Sequence, residues 1–167
     1  MSQEKLLRQF EVTNIAFKKE GLEIRVRDNY TGRPYTLPEF ALDDDKVMNA
    51  FNAFRVDVNA ICELNLDAEE EYLIQPIQVM FKGTHGEGLQ VQIEVTKKLS
   101  HSGDAWKFKT PKRFERSRDP KVKISESMMG RIENFKNQVN RMIREEGVLN
   151  VPKRAEQLLI FPDHSAA

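Results

Sequence analysis

Phe54-Arg55-Val56-Asp57-Val58-Asn59 is met again, 81 residues later, as Phe135-Lys136-Asn137-Gln138-Val139-Asn140. Each copy lies within a longer apolar stripe. Val47, Phe51, Phe54, Val58 and Ile61 advance by four, three, four and three positions, and Met128, Ile132, Phe135, Val139 and Met142 repeat those steps. Such spacing puts every member on one face of an α-helix, because a turn takes about 3.6 residues. Two amphipathic helices in equivalent places are expected, and with them an internal duplication.

Outward from the helices the period changes to two. Leu22, Ile24 and Val26 alternate with Glu23, Arg25 and Arg27, as in a strand with one buried and one wet face. Phe10, Val12, Ile15 and Phe17 form the strand before it, joined through the turn Lys18-Lys19-Glu20-Gly21. Asn29-Tyr30-Thr31-Gly32 is the next turn, and Tyr35-Thr36-Leu37 a short third strand stopped by Pro38. Asp43, Asp44 or Asp45 then caps the first helix. The second half repeats the order: a strand from Tyr72 to Phe81 bulged at Pro76, a flexible turn over residues 83–88, and a hairpin partner in which Glu87-Gly88-Leu89-Gln90-Val91-Gln92-Ile93 follows Glu20-Gly21-Leu22-Glu23-Ile24-Arg25-Val26. After His101-Ser102-Gly103-Asp104 comes Trp106-Lys107-Phe108-Lys109, with aromatics on one face and lysines on the other. Ser125 and Glu126 open the second helix, and Gly147 closes it. The expected fold is α+β: a strand-strand-strand-helix unit over residues 10–66, a second over 72–147, and a tail over 148–167. Connections of about four to six residues are hairpin length, so the strands are antiparallel. Two units packed back to back or edge to edge, about a pseudo-twofold axis, would bury the apolar face that each leaves open.

Composition narrows the function classes. Apolar residues make up 40% of the 167-residue chain and charged residues 31%, with one cysteine, Cys62. Those values suit one globular domain and exclude an internal disulfide or a cysteine-rich zinc site. With no apolar run of about 18 residues and no signal-like opening, the expectation is a cytoplasmic protein without membrane contact. Net charge is zero, yet it is segregated. From Glu39 to Glu71 there are ten acidic and two basic residues; from Ala105 to Lys123 there are eight basic and two acidic. Either the two stretches neutralise each other in the fold or they leave a strong local field.

Enzyme chemistry should leave a nucleophile with a base, paired carboxylates or a ligand cluster. Cys62 sits beside a helix's apolar stripe, where a structural thiol is expected. His85, His101 and Asp104 fall in turns without metal-ligand spacing, so no metal or cofactor is expected. The acidic triplet at 43–45 is accounted for by capping, and residues 83–88 lack the context of a phosphate loop. The basic stretch is the stronger candidate. Lys107, Lys109, Lys112, Arg113, Arg116, Arg118, Lys121 and Lys123 interleave with Trp106, Phe108 and Phe114, the composition of a surface that tracks phosphates and stacks bases of a single strand. Against this, Trp106 and Phe108 share a strand face that is expected to be core rather than a stacking platform, which leaves the basic loop alone for function.

The tail carries Gln157-Leu158-Leu159-Ile160-Phe161. It is either a final strand returning to a sheet or a motif displayed to a partner. The pentad resembles Gln-Leu-x-Leu-Phe, the peptide by which bacterial DNA polymerases and repair factors dock on the sliding clamp. That resemblance implies polar contacts by Gln157 and pocket filling by Leu158, Ile160 and Phe161. The reading that follows is a non-enzymatic accessory protein that binds nucleic acid, single-stranded DNA or RNA in preference, and recruits a protein through its tail. The alternative is a protein-interaction or inhibitory module whose acidic stretch meets a basic partner. Open sheet edges leave room for homo-oligomers.

Overall fold

The alternating residues do form strands. The computed structural model describes residues 10–18, 21–37 and 45–145, with side chains as far as Met142. Among these residues one antiparallel sheet holds β1 (Phe10–Lys18), β2 (Gly21–Asp28), β3 (Pro34–Thr36), β4 (Ile74–Lys82), β5 (Gln90–Lys98), β6 (Ala105–Lys109) and the short β7 (Arg113–Phe114). The strand order is β3-β2-β1-β4-β5-β6, with β7 also beside β5. Helices α1 (Asp45–Asn52), α2 (Arg55–Ile61) and α3 (Glu126–Glu145) complete the α+β architecture. Asp43, Asp44, Pro38 and Gly147 lie outside the described residues.

The two three-stranded meanders meet edge to edge. β1 pairs with β4 over three positions only, Asn14 with Met80, Ile15 with Val79 and Ala16 with Gln78, and the Gln78 amide donates to the Asn14 side-chain oxygen at 2.9 Å. Both hairpins are irregular in the same place: β1 shifts register between Val12 and Asn14, β4 between Pro76 and Gln78. An extra residue there lets each long strand twist away from its neighbour.

All three helices cover one sheet face. Ile15, Ile24, Val79, Ile93 and Val95 point up from the sheet, and Phe51, Phe54, Val58, Ile132, Phe135, Val139 and Met142 point down; all are buried. Phe135 makes edge-to-face contacts with Phe51 at 5.2 Å and with Phe54 at 5.4 Å, and Phe51 meets Phe17 of β1 at 4.3 Å. One chain of rings therefore joins α1, the turn that leads into α2, and α3 to the sheet.

The first helix departs from the expected single rod. Phe54 N–H donates to Phe51 O, three residues back, before Val58 N–H resumes the four-residue bond to Phe54 O. This tightened turn divides α1 from α2. A three-residue step fits the apolar spacing as well as a four-residue one, so the stripe stays buried across the break. α3 starts as expected, with Ser125 Oγ accepting from Met128 N–H at 3.2 Å. The fourth strand begins later than expected, at Ile74; Tyr72 sits in a 3₁₀ turn, Glu71–Leu73, and is exposed. No helix among the described residues is long and apolar enough to cross a membrane.

Candidate nucleic-acid interface

No element among the described residues covers the sheet face away from the helices, and that face is polar. Strand alternation places Arg25, Arg27, Lys18, Lys82, Lys98, Lys107 and Lys109 there, with three carboxylates, Glu11, Glu23 and Glu94. Each carboxylate is already engaged. Glu11 accepts from Arg27 at 2.7 Å, Glu23 from Arg25 at 3.1 Å, and Glu94 faces Lys107 at 3.4 Å. Lys18, Lys82, Lys98 and Lys109 form no ion pair among the described residues. The face is therefore net positive.

Its most basic border is the β6 and β7 edge. Lys107 stands opposite Thr96 and Lys109 opposite Glu94, on the uncovered face; Trp106 stands opposite Lys97 and Phe108 opposite Val95, on the helix side. The two aromatics then part company. Phe108 packs against the core, whereas Trp106, nearer the hairpin end, is 62% exposed. Past Lys109 the strand bulges, since Thr110, Pro111 and Lys112 span the gap that Gln92 and Ile93 span on β5. Buried Thr110 holds the bulge: its N–H donates to Ile93 O at 2.8 Å, and its hydroxyl accepts from Ile93 N–H at 3.0 Å. Pro111, which has no N–H, costs nothing there.

The bulge decides where the remaining basic residues go. Lys112 is exposed at its crest. Arg113 pairs with Val91 and so turns to the helix side, where its charge pulls the Cys62 thiol pKa down against the larger effect of burial, which pushes it up. Phe114 pairs with Gln90 on the uncovered face and is 39% exposed. Arg116 is spent on structure, donating to Gly86 O. Arg118, Lys121 and Lys123 are exposed on the loop that returns to β7, closed by Phe114 N–H to Val122 O and Ile124 N–H to Phe114 O. The eight basic positions are therefore not one continuous strip: Lys107 and Lys109 lie on the open face, Lys112, Arg118, Lys121 and Lys123 are exposed on the bulge and loop beyond it, Arg113 turns to the helix side and Arg116 is bound to Gly86.

Of the two alternatives for the segregated charge, direct pairing is not seen among the described residues, where no ion pair joins residues 45–71 to residues 105–123. Nor do the basic segment's own acids cancel it. Asp119 accepts from Lys121 N–H at 2.9 Å. Glu115 accepts three backbone N–H groups, from Gly86 at 2.7 Å, Leu89 at 2.8 Å and Gly88 at 3.3 Å.

Glu115 thereby pins residues 83–88, which the sequence suggests is a flexible turn. Gly83 has φ +77°, and a Cβ there would lie 2.8 Å from Gly88 O, so the close approach that closes the loop requires glycine. His85 adds a second tie, with Nδ1 2.6 Å from Glu133 of α3 and Nε2 3.5 Å from Glu115. The bond from Leu89, aided by those from Gly86 and Gly88 and by His85, holds the Glu115 carboxyl below the usual range against its desolvation. A lowered folded pKa means stability present above the unfolded pKa and lost as pH falls through the folded one. Glu115→Ala should therefore cost about 1–3 kcal/mol at pH 7. In paired thermal melts the gap between variant and parent should close below the ordinary carboxylate range, and a gap independent of pH would refute the assignment.

Other chemistry has less to stand on. Cys62 is half-buried with a raised thiol pKa, the reverse of an activated nucleophile. His101 and Asp104 are exposed in the β5–β6 turn, and no group of three His, Cys, Asp or Glu side chains among the described residues is placed to hold a metal. The docking candidates Gln157, Leu158, Ile160 and Phe161 lie outside the described residues. Compared with known proteins, the chain matches no protein-family model, no curated protein and no solved structure.

Proposed function

We propose that this is a non-enzymatic nucleic-acid-binding accessory protein, with the uncovered sheet face and its β6–β7 border as the polyanion surface and the tail from Gln157 to Phe161 as a docking peptide for a protein, the sliding clamp being the candidate. One observation carries the first part: cations project along one border while the carboxylates of the sheet face and of the basic loop, Glu11, Glu23, Glu94, Glu115 and Asp119, already accept from an arginine, a lysine or the backbone. A phosphate chain meets Lys109 and Lys112 without displacing an existing ion pair, while at Lys107 it competes with Glu94, and the counterions it sheds supply the binding free energy.

Fluorescence anisotropy with a labelled oligonucleotide tests this. Affinity should fall steeply with salt, by roughly 0.7 in log–log slope for each phosphate neutralised on a single strand. Reversing four exposed cations that form no ion pair, Lys109, Lys112, Arg118 and Lys121, to Glu should weaken binding ~10-fold or more. Unchanged affinity in that variant sinks the reading. In the same experiment a chain ending at Ala155 keeps its oligonucleotide affinity and loses capture by immobilised sliding clamp.

The competing reading, a module for a basic protein, draws on Glu63, Asp67, Glu69 and Glu70, exposed beside Tyr72, itself 68% exposed. Asn59 fixes that acidic arch by bonding both Leu66 N–H, at 3.0 Å, and Leu66 O, at 2.8 Å. Under it, oligonucleotides fail to bind at low salt and neutralising these acids abolishes binding of a polycation.

A further inference from the structure

We propose that Trp106 is a base-stacking platform and that the ligand is a single strand lying along the β6 rim, with bases toward Trp106 and phosphates toward Lys107 and Lys109. This rests on the nucleic-acid reading above and adds to it a strand type and a residue.

Trp106 is 62% exposed and makes no ring or cation contact among the described residues. An isolated exposed apolar side chain needs no explanation by itself. Its surroundings supply one. Lys97 is its cross-strand partner on the same face, and Lys107 flanks it in sequence on the other. β6 is also the outermost strand, so side chains from both faces border one rim. A nucleotide carries base and phosphate on opposite sides of its sugar. Laid along the rim, a strand can stack on the indole from one side while its phosphates meet lysines on the other. A duplex cannot, because its bases are paired inside.

The rim's backbone supports the same geometry. Leu99 N–H bonds to Asp104 O and Thr110 N–H to Ile93 O, so by antiparallel alternation Trp106 and Phe108 bond inward to β5. The N–H groups of Lys107 and Lys109 therefore point away from the sheet, beside their own ammonium groups. A second copy of the chain is a poor occupant of this edge, since pairing would crowd the lysines of both copies together. The opposite edge, β3, is three residues long and begins with Pro34.

Trp106 is the only tryptophan in the chain, so its fluorescence reports on this place alone. Titration with oligo-dT of about a dozen nucleotides, spanning one site, should quench it saturably, and a duplex of equal length should not. Trp106→Ala should weaken oligo-dT binding roughly five- to a hundredfold, with thermal melting unchanged and duplex affinity unaltered, while Trp106→Phe keeps most of the affinity. If oligo-dT binds with no change in tryptophan emission and Trp106→Ala binds as the parent does, the stacking inference is overturned and the broader reading stands. If neither oligo-dT nor duplex binds at low salt, both fall.

Discussion

Phe135→Ala is expected to lower the unfolding free energy by about 3–5 kcal/mol. The ring is wholly buried and lies against Phe51 and Phe54 at 5.2 and 5.4 Å, one on each side of the break between α1 and α2. Truncation removes both edge-to-face contacts and leaves a cavity beneath three helices that the sheet cannot move to fill. For a chain of this size each kcal/mol corresponds to roughly 2–4 °C in melting temperature, so a fall of about 6–20 °C should appear in a thermal scan. Phe114→Ala, at the exposed border, serves as the contrast and should stay within about 0.5 kcal/mol. A loss below ~1 kcal/mol for Phe135→Ala would mean that the ring cluster does not anchor the core.

Phe135 was legible in the sequence because helix packing is written locally, in the spacing of apolar residues. The same holds for β2, where Leu22, Ile24 and Val26 are buried and Arg25 and Arg27 project to the other face. What was not legible has no local period. The β1–β4 junction joins residues 64 apart through three pairs, and nothing in either strand's pattern selects that partner. β7 is two residues long and follows a proline, so no alternation could announce it, yet it decides that Arg113 turns inward and Phe114 outward. Trp106 and Phe108 have the same phase and different fates, because the helices cover Val95 and not the hairpin end. Glu115 reads as one acid in a basic run; only the fold brings it to three backbone donors about 26–29 residues away. The candidate interface was thus visible as composition, and its division into border cations and structural ones was not.

Removing Arg131 should be nearly as damaging as removing Phe135, for an electrostatic reason. Its guanidinium, on α3, donates through Nε at 2.7 Å and Nη2 at 2.5 Å to the two carboxylate oxygens of Asp57 on α2, across 74 residues of sequence. That bond is the main cause of the raised Arg131 pKa, against the opposing effect of burial. The partners are not equally enclosed: the Asp57 side chain is 5% exposed and that of Arg131 27%. Arg131→Met therefore strands a buried carboxylate and should cost about 3 kcal/mol, at the lower end of the range for breaking a buried pair. Asp57→Leu leaves an arginine that can still reach water and should cost less. The double variant removes both charges and replaces them with apolar contact, so it should lie within about 1 kcal/mol of the parent. A double-mutant cycle on urea midpoints reads this directly, with a coupling of up to about 3 kcal/mol expected. Additive losses would show that α2 and α3 are held by their phenylalanines alone. A coupling that large would make the ion pair a second tie between the halves, one that fixes the azimuth of α3 where the rings supply only adhesion.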